Sequence, residues 1–570
     1  MKDRSKNGIP PRGKETNMEM TEEEFSPAST RMGIWPLSTL EELSRQALLR
    51  NEALAISALE KLPKMLVPAL FEEAFSNRYT TIVKAMVVAW PFPYLRVKGL
   101  MNSFFDSEIF HAVLDGLDVL LTQQVRPTRG ELRVLDFRRV PREFRTIQAG
   151  AEAGNCSAET VSEKQAGKPP PRRELRPRMK VRVDLYFSSQ LREEEKYFLQ
   201  WAQQRKDSLR LCCENMKITF QSLDNVRTLL SVFELEYIKL LELTTDWSWS
   251  TLAQFSTYLT EMRNLHSVSL VHIHENIFGA CCLKCLDEKK FVQKLFSQFS
   301  GLSSLQHLYL RGFFFFSEHV KLLLRNLKTP LETFSVTDCH MFESYLKDFA
   351  LCPSLHQLKH LNMSGILLCN VSILPLGVLL EMGADRLETL ELQGCRIEDS
   401  QFRELLPALS QCSQLTKVNF YNNDFSMNLL SDLLHHTANM SKMTMEQYPA
   451  PRECYDEWNC ISIDTFSRLC SQLMDTLRAI RQPKRISFAT VVCSGQPFIQ
   501  AKSKQIPHEG HVQSAGSPLQ VSLCTAGRQK GFLGGNFISN QEEGSRKDQQ
   551  EGRNEFLSSW TIQGVPGDLL

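Results

Sequence analysis

The 570-residue chain lacks a surplus of either charge: 66 Lys and Arg stand against 65 Asp and Glu, a formal net charge of +1. Bulk electrostatic binding to nucleic acid needs a basic domain, so nucleic acid is not an expected partner. Long apolar runs are also missing. No stretch approaches the ~18 residues of a membrane helix, and the aromatic run Phe313 to Phe316 is far shorter. The opening MKDRSKNGIPPRGKETN is polar with no apolar h-region, which argues against a signal peptide or a membrane association. Phosphate-loop, nucleophile-elbow and HExxH patterns are absent as well. No catalytic residue and no cofactor are expected, and the chain reads as a non-enzyme.

Cysteine, by contrast, is plentiful. Sixteen cysteines in a chain without a secretory signal read as reduced thiols, most of them small hydrophobes in apolar settings. The expected location is the cytoplasm, with the nucleus as a second compartment. The cluster CCLKC (Cys281, Cys282, Cys285) has His272 and His274 upstream, but no second C-x-x-C follows at zinc-site spacing, so no metal site is expected.

The positive signal is a repeat. Between Arg386 and Asp424, apolar residues alternate at spacing two (Leu387, Leu390, Leu392), then fall at helical spacing (Phe402, Leu405, Leu406, Leu409), then restart at Leu415. The template Leu-x-x-Leu-x-Leu recurs from Leu265, Leu305, Leu331, Leu358, Leu387 and Leu415, at steps of 40, 26, 27, 29 and 28 residues. A looser copy begins at Ile238, and LRVLDF from Leu132 reads as an isolated first strand. Cys339, Cys395 and Asn423 stand where a leucine-rich repeat carries Cys or Asn. One strand and one helix cannot bury their apolar faces alone, whereas stacked units form a continuous core. The pattern predicts an α/β fold: a ribonuclease-inhibitor-like, leucine-rich-repeat horseshoe solenoid with a parallel concave sheet, convex helices and an N-terminal helical cap. The 40-residue step implies an insertion including HENIFGACCLKCLDEKK.

Strand alternation predicts which side chains face the concave surface. These are His307, Tyr309 and Arg311; Thr333, Ser335 and Thr337; His360, Asn362 and Ser364; Thr389, Glu391 and Gln393; Lys417, Asn419 and Tyr421. A polar, mixed-charge surface with two tyrosines and an arginine suits a protein partner, although an ordinary solvated sheet face gives the same pattern.

The expected organisation is a disordered leader over 1–31 and a helical cap with the first strand over 32–147. A flexible basic loop over 148–181, with Arg172, Arg173, Arg176, Arg178 and Lys180, reads as a solvated linker or a nuclear import signal. The solenoid spans 182–493, and a disordered tail follows over 494–570. Ser38 and Glu41 make a capping box for the first helix. Pro63 and Pro68 are expected to break that helix. Three LxxLL stretches begin at Leu117, Leu376 and Leu430. Such helices can dock in a nuclear-receptor groove, but repeat-core packing yields the same spacing and is the favoured reading.

SRQALLRNEALAISALEKLPKMLVPALFEEAFSNRYTTIVKAMVVAWPFPYL, LDGLDVLL, LRLCC, LKHLNMSGILLCNVS and LLPALSQCSQLTKVNFYNND closely resemble the PRAME (preferentially expressed antigen in melanoma) family over 32–493. The resemblance implies a leucine-rich-repeat protein of germ cells and tumours, and substrate reception for cullin-2 and elongin ubiquitin ligases. It also implies repression of retinoic-acid-receptor transcription, and links to proliferation, apoptosis and differentiation. The tail after ISFATVVC departs from the family ending. An elongin box, roughly Leu-x-x-x-Cys-x-x-x-aliphatic, is best approached by SLRLCCENMKI with Leu209 and Cys213, where Lys217 occupies the aliphatic place. The expected function is a ligase adaptor that is monomeric outside its complex. The alternative is a corepressor of retinoic-acid-receptor signalling that acts by binding alone.

Overall fold

The computed structural model describes residues 39–97, 107–122, 130–138, 178–188, 191, 193–273, 285–313, 315, 317–339, 344–457, 460–489, 498–502 and 520–524. Among the described residues five helices come first: α1 (Leu40–Leu49), α2 (Glu52–Ala58), α3 (Val67–Ser76), α4 (Thr80–Val88) and α5 (Ser107–Thr122). The capping box falls one residue later than expected. Thr39 Oγ1 accepts from Glu42 N at 3.2 Å, and Thr39 N donates to Glu42 Oε2 at 2.8 Å; Thr39/Glu42 satisfies the same Thr/Ser-x-x-Glu rule as Ser38/Glu41. Asn51, which caps α2, ends the first helix before Pro63 is reached. Pro68 lies in the first turn of α3 rather than breaking a helix, a place where its missing N–H costs nothing. α4 and α5 cross closely because Gly116 has no Cβ, which would sit 2.8 Å from Val87 Cβ.

Among the described residues fifteen strands form one sheet in strict chain order. Two belong to the cap: β1 (Tyr94–Arg96) and β2 (Val134–Asp136). The segment read as an isolated strand is therefore not isolated, since β2 pairs in parallel with β1 and with β3 (Met179–Phe187). β3 begins two residues before the expected end of the basic loop, because MKVRVDLYF alternates buried and half-exposed along its length. The solenoid continues through α6 (Glu193–Gln204), β4 (Leu209–Thr219), α7 (Leu223–Leu230), β5 (Leu240–Thr245), α8 (Trp249–Phe255) and β6 (Ser267–His272). Next come α9 (Cys285–Ser297), β7 (His307–Arg311), α10 (Ser317–Asn326), β8 (Thr333–Thr337), α11 (Ser344–Ala350), β9 (His360–Asn362), α12 (Leu374–Met382) and β10 (Thr389–Glu391). The last units are α13 (Asp399–Gln411), β11 (Lys417–Asn419), α14 (Met427–His436), β12 (Met445–Pro449), α15 (Ile463–Ile480) and β13 (Ile486–Ala489). Thus β1 to β13 are parallel and the sheet is open. β14 (Phe498–Lys502) and β15 (Gln520–Cys524) add antiparallel. This corrects the expectation of a patternless tail for those two stretches, where PFIQAK and LQVSLC are short runs with β-branched residues.

From β7 to β11 each strand sends one apolar side chain into a shared column: Leu308, Phe334, Leu361, Leu390 and Val418 are in register and at most 1% exposed. Burial of each such side chain contributes about 1.5–3 kcal/mol. The Cys/Asn position ties neighbouring units together. Asn423 Nδ2 donates to the carbonyls of Leu392 (2.7 Å) and Phe420 (2.9 Å), and its Oδ1 accepts from Ile397 N (3.0 Å). Cys395 makes the weaker thiol version, Sγ to Met363 O at 3.2 Å.

Candidate partner-binding face

The parallel register turns the expected outward residues into continuous rows. The first runs Ser267, His307, Thr333, His360, Thr389, Lys417, and the second Ser269, Tyr309, Ser335, Asn362, Glu391, Asn419. Arg311 and Thr337 begin a third row. Gln393 and Tyr421 lie on the same face: Asn419 Nδ2 donates to Gln393 Oε1 at 2.9 Å, and the Tyr421 and Ser487 hydroxyls bond each other. Fourteen of the fifteen expected face residues, all but Ser364, are therefore brought together on one surface.

Not all of them reach solvent. Thr333 and Ser335 are each only 7% exposed and Asn419 6%, against the expectation that they look freely outward. Short side chains on strands ~4.8 Å apart are covered by longer neighbours in the same row. His307 Nδ1 lies 2.9 Å from Thr333 Oγ1, and His360 Nδ1 repeats the contact with Thr389 Oγ1 at 2.9 Å. Burial holds both imidazoles below their ordinary pKa. Glu391 accepts from Asn362 (2.9 Å) and Lys417 (2.6 Å), and Arg311 Nε donates to Asp338 Oδ2 at 2.9 Å. The polar groups thus hold one another in a fixed lattice. Tyr309 stands out from it, 37% exposed between Ser269 and Ser335, and partial burial pushes its phenol pKa up. An aromatic ring standing between short neighbours on a rigid sheet is what a protein interface uses as an anchor.

Sequence reading missed the N-terminal part of this face, because β1 to β5 depart from the leucine template. The alternation in MKVRVDLYF was the available signal: it places Lys180, Arg182, Asp184 and Tyr186 on the concave side. Asp136 is fully buried there and accepts from Arg138 (Nη2 to Oδ2, 2.8 Å) and from the Tyr94 hydroxyl. Burial opposes its charge, but the hydrogen bonds from Arg138 and Tyr94 prevail and hold its carboxyl below the ordinary value. Tyr94 is pushed up to about 12 by burial and by Asp136. Glu214 bridges Arg138 (2.9 Å), Arg182 (3.2 Å) and Lys239 (3.5 Å).

The elongin-box candidate is corrected. Leu209 and Cys213 lie on β4 and are 4% and 0% exposed in the core. Burial drives the Cys213 thiol far above its ordinary pKa. Neither side chain is available to a partner. The LxxLL leucines likewise pack on the core: Leu117, Leu376, Leu380, Leu430, Leu433 and Leu434 are at most 1% exposed, Leu379 and Leu120 are buried, and Leu121 is half-buried against the core, so these helices present no free leucine face to a nuclear receptor. His272 is 7% exposed, with Nε2 at 2.7 Å from Trp247 O and its ring stacked on Phe313. His274, Cys281 and Cys282, with the Cys285 side chain, lie outside the described residues. Among the described residues no group of three or more His, Cys, Asp or Glu is placed to hold a metal ion, and no helix is long and apolar enough to cross a membrane.

An open parallel sheet in chain order, backed by one helix per unit and laddered by buried Cys and Asn, defines a leucine-rich-repeat protein. Family models assign the rest: residues 37–145 match the PRAME N-terminal domain and 179–502 the PRAME C-terminal domain. The chain belongs to the PRAME family. It is 43% identical to PRAME family member 12 of Homo sapiens, over 80% of this chain and 93% of that protein. To Oogenesin-3 of Mus musculus it is 38% identical, over 83% and 94%. Among solved structures, the yeast Rad7 and Elc1 complex is similar over 75% of this chain and 97% of that one. The identity there is 13% and the TM-score 0.33, too slight a likeness to bear on function.

Proposed function

We propose that this chain is a protein-binding adaptor that holds a partner on the concave face and brings it to a ubiquitin ligase of the cullin-2 and elongin type. The observation that carries the binding half is the preset polar lattice with Tyr309 standing from its centre. For the ligase half, with Leu209 and Cys213 in the core, the available surface is the N-terminal cap. There Leu40 (82% exposed), Leu43 (51%), Leu54 (53%) and Met65 (80%) offer apolar side chains to solvent on α1, α2 and the turn after them. Adaptor action in the cytoplasm or nucleus would serve control of proliferation, apoptosis and differentiation. The corepressor alternative loses the support of its LxxLL motifs, whose leucines pack on the core.

The test is affinity capture of the full chain from a cell extract, comparing wild type with Tyr309→Asp and with Leu43→Asp/Leu54→Asp. Wild type should capture elongin, cullin-2 and a partner. Tyr309→Asp should lose only the partner, and the cap variant only the ligase subunits. Capture of a partner with no ligase subunit in the wild type would sink the adaptor reading and leave binding by occupancy. A partner retained by Tyr309→Asp would show that the wrong face was chosen.

A further inference from the structure

The concave face is electrostatically uneven. From β6 to β11 its charges are few and paired across strands: Arg311 with Asp338, Lys359 with Glu332, Lys417 with Glu391. Over β1 to β4 cations prevail. The carboxylates there are committed: Asp136 to Arg138 and Tyr94, Glu214 to Arg138, Arg182 and Lys239, and Asp184 to the Asn215 amide at 3.0 Å. Three cations keep unspent donors. Arg96 makes no ion pair among the described residues; Arg182 is paired with Glu214 through Nη2 alone (3.2 Å), and the Nε of each is buried without a hydrogen-bond partner. Among the described residues Lys180 meets the ring of Tyr237, at 4.5 Å from its centroid, and makes no ion pair.

Register fixes how these three are spaced. Arg96, Asp136 and Arg182 share one row on β1, β2 and β3, and Lys180 lies two residues before Arg182 on β3. Neighbouring strands are ~4.8 Å apart and alternate residues of a strand ~7 Å. Arg96 and Arg182 therefore sit about 10 Å apart, and Lys180 and Arg182 about 7 Å. The latter is the repeat of alternate side chains in an extended peptide. Beyond them, Tyr186 is 52% exposed with Lys217 over its ring at 5.6 Å, an aromatic edge to the same patch.

We propose that the concave face over β1 to β4 docks an extended, acidic segment of a partner protein that runs along β3, two of whose alternate carboxylates are taken by Lys180 and Arg182, with Arg96 two strands away adding a third cation beside it. Charge complementarity selects this occupant. Nucleic acid would meet Asp136, Asp184 and Glu214 among the cations, and the chain as a whole carries only +1, whereas spaced carboxylates can match spaced donors one by one. The inference rests on the protein-binding reading above and names the chemistry of one end of that face.

The test uses the full chain and a labelled peptide of alternating glutamate and serine. Controls are the same peptide with glutamine for glutamate and a short single-stranded oligonucleotide. Binding of the glutamate peptide should weaken with salt, disappear for the glutamine peptide, and fall about tenfold in Arg96→Gln/Lys180→Gln. It should be unchanged in Lys347→Gln, an exposed lysine on α11 away from the concave face. Equal binding of the two peptides, no effect of Arg96→Gln/Lys180→Gln, or tighter binding of the oligonucleotide would overturn the proposal. The peptide comparison stands even if the double variant folds poorly. Tyr309-dependent capture of a partner without acidic-peptide binding would sink this proposal alone; acidic-peptide binding without that capture would sink only the adaptor reading.

Discussion

Arg481, just past α15, grips the carboxylate of Glu446 on β12 with both arms: Nη1 to Oε1 at 2.7 Å and Nη2 to Oε2 at 2.6 Å. Glu446 is in register with Val418 and Ile486, a core column position, and is 1% exposed. The Tyr448 hydroxyl donates to its Oε2 at 2.8 Å. Removing one partner of a buried pair leaves the other charge uncompensated. Arg481→Met should therefore cost about 3–5 kcal/mol of stability, whereas Glu446→Leu/Arg481→Met should be near neutral. Denaturant unfolding of the three proteins decides it. A single variant as stable as the wild type would contradict the lock.

Asn423→Ala should destabilise by about 2–4 kcal/mol, because two carbonyls and one N–H lose a buried partner. Asn423→Cys should recover part of the loss, since Cys395 fills the equivalent place. Hydrogen exchange at Ile397 would report the same ladder. Unchanged protection in Asn423→Ala would refute it.

Burial pushes the thiols of Cys339, Cys395 and Cys412 from 9.0 up to about 12. Folded values above unfolded ones mean that this contribution is intact below pH 9 and is lost as pH rises toward 12. The thermal midpoint should fall across that window. In the native state at neutral pH the three should resist alkylation while exposed Cys460 reacts. Mass spectrometry after a brief maleimide pulse would show it.

His307 and His360 carry the opposite sign. Burial is the first cause in both, and each lies below its ordinary 6.5. Their contribution to stability is present above pH 6.5 and is lost as pH falls through the folded values. Imidazole NMR titration should find both midpoints below 6.5, and His307→Gln should flatten the acid limb of the stability curve. Midpoints at or above 6.5 would contradict the packing of the His–Thr pairs.

The repeats from Leu265 to Leu415 were readable because every strand there obeys one template and buries one side. Tyr94 to Arg96 was not, since three residues after a Pro-Phe-Pro turn carry no measurable period. β12 was hidden by Glu446, a charge at a core position that Arg481 and the Tyr448 hydroxyl make tolerable. Leu209 and Cys213 match the box by residue type and spacing, which do not say whether the side chains reach a partner. The alternation Leu209, Leu211, Cys213 puts them on the buried side of a strand. The concave residues were named correctly as a set, but the cover over Thr333, Ser335 and Asn419 depends on cross-strand neighbours that no single segment reveals.

The step from Ser267 to its row partner His307 is 40 residues, and that from His307 to Thr333 is 26. The rows do not notice the difference. Added length is taken up in the connections between strands, so such a chain can gain or lose sequence there without displacing Tyr309 or its neighbours. Paralogues built on this plan are free to diversify in two independent ways: by exchanging single side chains along a row, and by growing loops between units.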